Sequence, residues 1–124
     1  MRTIRRNVFE TNSSSSHSIS ISTETDWEAF KNGQRWVDYR ELLTFEEAVS
    51  RVEEYYPEDA EKLRNAYAAE DMEAVARIMA NYEFCSYKKW EELREDYGEE
   101  TYSYKFTTPS GDKMVAWGSY GYNG

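Results

Sequence analysis

The 124-residue chain holds one cysteine, one histidine and two prolines, and no long run of apolar side chains. With Cys85 alone, an internal disulfide is excluded, which fits a reducing compartment. His17 and Cys85 are too few for a transition-metal site of several soft ligands. The many carboxylates show no calcium-loop spacing. No stretch nears the roughly 18 apolar residues of a membrane span. Met1-Arg2-Thr3-Ile4-Arg5-Arg6 is basic but lacks the apolar stretch of a secretory signal. The expectation is a soluble cytoplasmic protein with no membrane contact, metal or cofactor.

What is present is aromatic and acidic. Eleven Tyr, four Trp and five Phe supply bulky core material. The length suits one domain, residues 1–124, around a single modest core. Arg2, Arg5 and Arg6 put +3 into the first six residues, so the net charge of −9 leaves −9 − 3 = −12 on the remainder. An acidic body repels phosphate backbones, which argues against direct nucleic-acid binding. The same charge keeps a tyrosine-rich surface soluble, and that reading is preferred to nucleic-acid mimicry.

Periodicity yields an α+β expectation. Ser18-Ile19-Ser20-Ile21-Ser22 alternates, which predicts a strand with Ile19 and Ile21 on the core face and His17 beside them. Thr25 with Glu28 reads as a capping box for a short helix offering Trp27 and Phe30 and stopping at Asn32-Gly33. Residues 34–43, with Trp36, Val37 and Tyr39, read as a brief strand or an ordered loop. Thr44 with Glu47 is a second capping box, before a stripe of Phe45, Ala48, Val49, Val52 and Tyr56. Pro57 ends that helix and opens the next, whose stripe is Ala60, Leu63 and Tyr67. Asp71 caps an antiparallel partner with Met72, Val75, Ala76 and Met79, and Ser86 caps a last helix with Trp90, Leu93 and Tyr97 inward.

Tyr102, Tyr104 and Phe106 alternate along a strand, Thr108-Pro109-Ser110-Gly111 is a turn, and Met114–Trp117 returns. A hairpin alone is marginal, so the N-terminal strand is its natural third member. The expected fold is a small antiparallel sheet packed on one face against four or five helices. Its core would set Phe45, Val49, Val52, Leu63, Val75, Met79, Trp90 and Leu93 against Ile19, Ile21, Phe106 and Val115.

Arg6-Asn7-Val8-Phe9-Glu10-Thr11-Asn12-Ser13-Ser14-Ser15-Ser16-His17-Ser18 is a hydroxyl-rich run with no apolar period. Only hydrogen bonds could order the Ser13–Ser16 loop, and His17 is read as its anchor. The run resembles the amino-terminal signature of small proteins of bacteriophages and mobile elements. Residues 110–122 resemble the end of the same proteins, and the helical middle is unmatched. The resemblance implies a phage setting and carries no assigned activity.

Three constellations compete for function. Catalysis at Ser16-His17 is disfavoured, because neighbours on a strand point to opposite faces and no nucleophile elbow is present. Arg5, Arg6, Ser13, Ser14 and His17 together could hold a phosphate, in a small enzyme or nucleotide-binding protein. Pairing of the two arginines with acidic helices is the simpler account. The third is the densest acidic run, Glu53, Glu54, Tyr55, Tyr56, Glu58 and Asp59, broken by Pro57. Tyr120 and Tyr122 either add to a contact surface or extend the last strand into the core. The favoured reading is a non-catalytic phage accessory protein that binds a host protein through Glu53, Glu54, Tyr55, Glu58, Asp59, Tyr120 and Tyr122. A nucleic-acid-binding defence protein, inhibited as anti-CRISPR proteins do, is the sharpest case.

Overall fold

A computed structural model describes the backbone of residues 15–122 and the side chains of residues 18–121. Across these residues the chain builds β1 (Ser15–Thr23), α1 (Glu24–Lys31), β2 (Trp36–Asp38), β3 (Glu41–Leu43), α2 (Phe45–Tyr55), α3 (Pro57–Ala68), α4 (Met72–Asn81), α5 (Tyr87–Asp96), β4 (Glu99–Thr107) and β5 (Lys113–Tyr122). The three long strands pair antiparallel in the order β1-β5-β4, and β2 with β3 forms a separate hairpin. This is the α+β fold that the periodicity predicts.

Helix starts follow capping chemistry. Thr44 accepts from the Glu47 amide at 3.1 Å while the Glu47 carboxylate accepts from the Thr44 amide at 2.8 Å, a complete capping box. Asp71 and Ser86 cap α4 and α5, and Pro57 opens α3. The first helix corrects the sequence reading. Its cap is Thr23, which accepts from the Asp26 amide at 3.1 Å, and Thr25 lies inside the helix. An N-cap is typically in the β region, and Thr23 already is (φ −68, ψ 155) as the last residue of β1.

Two hydrophobic clusters form. Trp36, Leu43, Phe45, Ala48, Val49, Val52, Ala60, Leu63, Val75, Met79 and Phe84 pack between α2, α3, α4 and the short hairpin. Trp27, Phe30, Val37, Trp90, Val115 and Trp117 pack between α1, α5 and one face of the long sheet. Phe45, Val49, Val52, Leu63, Val75, Met79, Trp90 and Val115 are buried as expected, whereas Leu93 and Phe106 are half-buried. Tyr56, Met72 and Tyr97 are exposed rather than part of their helices' inner stripes, as is Ala76, whereas Tyr67, though 44% exposed, stacks on the core's Phe45 with ring centroids 3.9 Å apart.

The sheet faces are the opposite of the expected ones. Ile19 and Ile21 are 52% and 60% exposed, and Ser20 is buried. In register, Ser22, Ser20 and Ser18 lie opposite Val115, Trp117 and Ser119 of β5, so the serine face is the covered one. The reason is volume and hydrogen bonding. Trp27, Phe30 and Trp90 crowd Trp117 with ring centroids 5.5–5.9 Å away, leaving small side chains beside it. Ser22 Oγ accepts from Trp117 Nε1 at 3.0 Å, and Ser18 Oγ accepts from the Ser119 amide at 3.2 Å. A buried indole N–H needs a partner, and Ser22 supplies what isoleucine could not.

Candidate functional site

The acidic run falls on the corner where α2 gives way to α3. Tyr56 is both the last cap of α2 and the first of α3, with φ −139 and ψ 75, because proline at 57 cannot continue the α2 hydrogen-bond ladder. The break turns both neighbouring tyrosines outward, with Tyr55 74% and Tyr56 58% exposed. A shallow depression of about 440 Å³ is lined by Tyr55, Tyr56, Pro57, Glu58 and Asp59. Glu58 and Asp59 sit in the first turn of α3, where the helix dipole favours negative charge.

The carboxylates of this corner are not equivalent. Glu53 takes a forked contact from Arg64, at 3.1 and 3.5 Å, which ties α2 to α3. Asp59 accepts a hydrogen bond from the Tyr82 hydroxyl. The Tyr82 phenol is pushed up to about 12, first by desolvation and then by that carboxylate. Glu54 and Glu58 make no ion pair with the described residues, and both are exposed. Among the described residues the corner therefore presents two unpaired carboxylates and two aromatic rings, with Glu53 and Asp59 serving the fold.

The other sequence-derived site residues are dispersed. Tyr120 lies on the uncovered face of the sheet, its ring centroid 6.3 Å from that of Tyr102 and its hydroxyl donating to Glu100 at 3.4 Å. The acidic corner belongs to the helical cluster, so Tyr120 does not join it in one patch. Arg5, Arg6, Ser13 and Ser14 lie outside the described residues, as do the side chains of His17 and Tyr122. The expectation of a hydrogen-bonded Ser13–Ser16 loop falls there too, although the backbone of Ser15 and Ser16 pairs with Tyr122 and Gly121. Among the described residues, no group of three or more His, Cys, Asp or Glu could hold a metal ion. No helix among them is long and apolar enough to cross a membrane.

Sequence reasoning missed the uncovered sheet face. It carries Ile19 and Ile21 of β1, Tyr120 of β5, and Tyr102 and Tyr104 of β4. Tyr102 lies across Gly118 and donates its hydroxyl to the Ser18 carbonyl at 2.6 Å. A Cβ on Gly118 would stand 3.0 Å from that hydroxyl and 2.1 Å from the Ser18 oxygen, so only glycine fits. The Gly-interleaved tail was the signal for this approach, since a glycine inside a strand marks a near contact. Compared with known protein families, with curated proteins and with solved structures, the chain matches none.

Proposed function

We propose that this chain is a non-catalytic accessory protein of a phage or mobile element that binds a basic host protein through the α2–α3 corner. The observation that carries the reading is the outward pair Tyr55 and Tyr56 beside the exposed Glu54 and Glu58, which pair with no described residue. Tyrosine supplies contact area at low conformational cost. Clustered carboxylates steer a basic partner, and nucleic-acid-binding defence nucleases offer such a surface. The likeness of residues 6–18 and 110–122 to small phage proteins supports an infected bacterial cytoplasm as the setting. Inhibition of a defence nuclease is the sharpest form of the function.

The test expresses the chain in bacteria that carry an active RNA-guided nuclease and measures survival of a targeted plasmid. The expected result is that the wild type protects the plasmid and Glu54→Lys with Glu58→Lys does not, while the variant still melts as a folded protein. Both positions are solvent-facing and make no ion pair with the described residues; lysine at 58 opposes the α3 dipole at a cost of about 0.3–1 kcal/mol, too little to unfold the chain. Failure of the wild type to protect against a panel of such nucleases overturns the inhibitory form. Full protection by the double reversal moves the contact away from this corner.

A further inference from the structure

Opposite in character to the acidic corner is a groove along α5, roofed by the loop after β2 and by the end of α4. Two adjoining depressions, of about 270 and 460 Å³, share Ala80, Cys85 and Lys89. Their floor is apolar: Trp36 and Phe84 at one end, Val37, Trp90 and Leu93 at the other. Their cations are Arg77, Lys89 and Arg94, against a single carboxylate, Glu83. In a chain of net charge −9 this is a reversal of sign.

Those cations are largely uncommitted. Arg77 and Lys89 make no ion pair with the described residues. Arg94 reaches Glu99 at 3.4 Å through Nη1 and lies over the Tyr97 ring at 5.6 Å, while its Nε has no hydrogen-bond partner among the described residues. Lys89 and Arg94 both bear on the Cys85 thiol: burial, with Glu83, holds its pKa raised, and the two cations oppose that rise. Lys89 and Arg94 thus flank the part of the groove floor where Val37 and Cys85 exchange backbone hydrogen bonds of 2.8 and 3.0 Å, and Arg77 lines the smaller depression.

Tyr39 (φ 60), at the tight β2–β3 turn, and Glu83 (φ 63), at the left-handed close of α4, set the rim of the larger depression. From Ser86 to Tyr97 the groove runs roughly 16 Å along α5, at 1.5 Å per residue. That length takes about five extended residues.

We propose that this groove docks an acidic peptide segment of a partner protein, one with an aromatic or aliphatic anchor between carboxylates. The anchor enters the apolar floor beside Trp90 and Leu93, and the flanking carboxylates meet Lys89 and Arg94. Tyr39 and Tyr97 close over the segment as rims. The inference stands apart from the acidic corner, which calls for a partner of the other sign.

The test uses the full chain and three dye-labelled peptides, Glu-Asp-Phe-Glu-Asp, Glu-Asp-Ser-Glu-Asp and Lys-Lys-Phe-Lys-Lys, followed by fluorescence anisotropy. The expected result is saturable binding of the first, weakened about tenfold by Lys89→Glu and weakened further by salt. Serine in place of the anchor, or reversed charge, should remove most of the binding. Because Cys85 is the chain's single thiol, saturating the groove should slow its alkylation by N-ethylmaleimide several-fold. Arg77→Glu is a second exposed variant, should Lys89→Glu misfold. Absent binding, unchanged affinity in the folded variant, equal binding of the basic peptide, or unprotected Cys85 each overturns the proposal.

Discussion

Trp36 and Val37 are neighbours in β2, yet they belong to different hydrophobic cores. Trp36 packs edge-on against Phe45, centroids 6.0 Å apart, in the helical cluster. Val37 points the other way, into the cluster of Trp27, Phe30 and Trp117. Strand alternation makes this possible, since successive side chains leave on opposite faces. A three-residue strand thereby joins two cores that would each be small alone.

The first prediction concerns that joint. Tryptophan fluorescence reports mostly the sheet cluster, which holds Trp27, Trp90 and Trp117, and far-ultraviolet circular dichroism reports the helices. The two signals should melt together in denaturant, as one cooperative unit does. Trp36→Ala should cost about 3–5 kcal/mol and lower both midpoints equally. Separated transitions in the wild type would mean that β2 does not couple the clusters.

A second prediction reads the inverted sheet. Ile21→Ser should change stability by no more than about 0.5 kcal/mol, because the side chain is exposed. Ser20→Ile should cost about 1–3 kcal/mol by overfilling the space beside Trp117. Chemical denaturation of both variants decides the matter, and a costly Ile21→Ser with a harmless Ser20→Ile would restore the original orientation.

Gly118 and Tyr102 supply the third. Gly118→Ala should lose about 1–3 kcal/mol or more, since its Cβ meets backbone rather than a flexible side chain. Tyr102→Phe should cost about 1 kcal/mol for the lost hydrogen bond to Ser18. Amide exchange at the β1–β5 pairing should accelerate in the alanine variant, and unchanged protection there would contradict the tight approach.

The fourth prediction is alkaline. Tyr82 and Tyr87 are each raised from 10.0 to about 12, by desolvation first and then by hydrogen bonds to Asp59 and Glu91. Between pH 10 and 12 the folded chain holds protons that the unfolded chain has lost, so stability falls as pH rises through that window. Below pH 10 both states are protonated and the contribution is fully present. Ultraviolet titration should show late-ionising phenols, and Tyr82→Phe should flatten the alkaline fall in melting temperature.

Four of the five helix starts were legible in the sequence because their causes are local. Thr44 with Glu47, Pro57, Asp71 and Ser86 each satisfy or remove an orphan backbone group within one turn, and no distant residue alters that need. The acidic corner was legible for the same reason: proline after Tyr56 must break the helix. Its division into committed and uncommitted carboxylates was not, since Arg64 and Tyr82 arrive from other turns of chain.

The sequence by itself determined that β1 has one serine face and one isoleucine face; the period of two dictates it. Which face went inward was decided only in the tertiary structure, by Trp27, Phe30, Trp90 and Trp117 filling the space over the sheet and by the Trp117 N–H requiring Ser22 as its acceptor. The cationic groove has the same origin. Arg77, Lys89, Arg94 and Tyr39 come from three separate elements and loops, scattered in an acidic chain, and only the packing of α4, α5 and β2 gathers them. Local hydrogen-bond needs are written along the chain, whereas competition for volume and the summing of distant charges arise only once the elements meet.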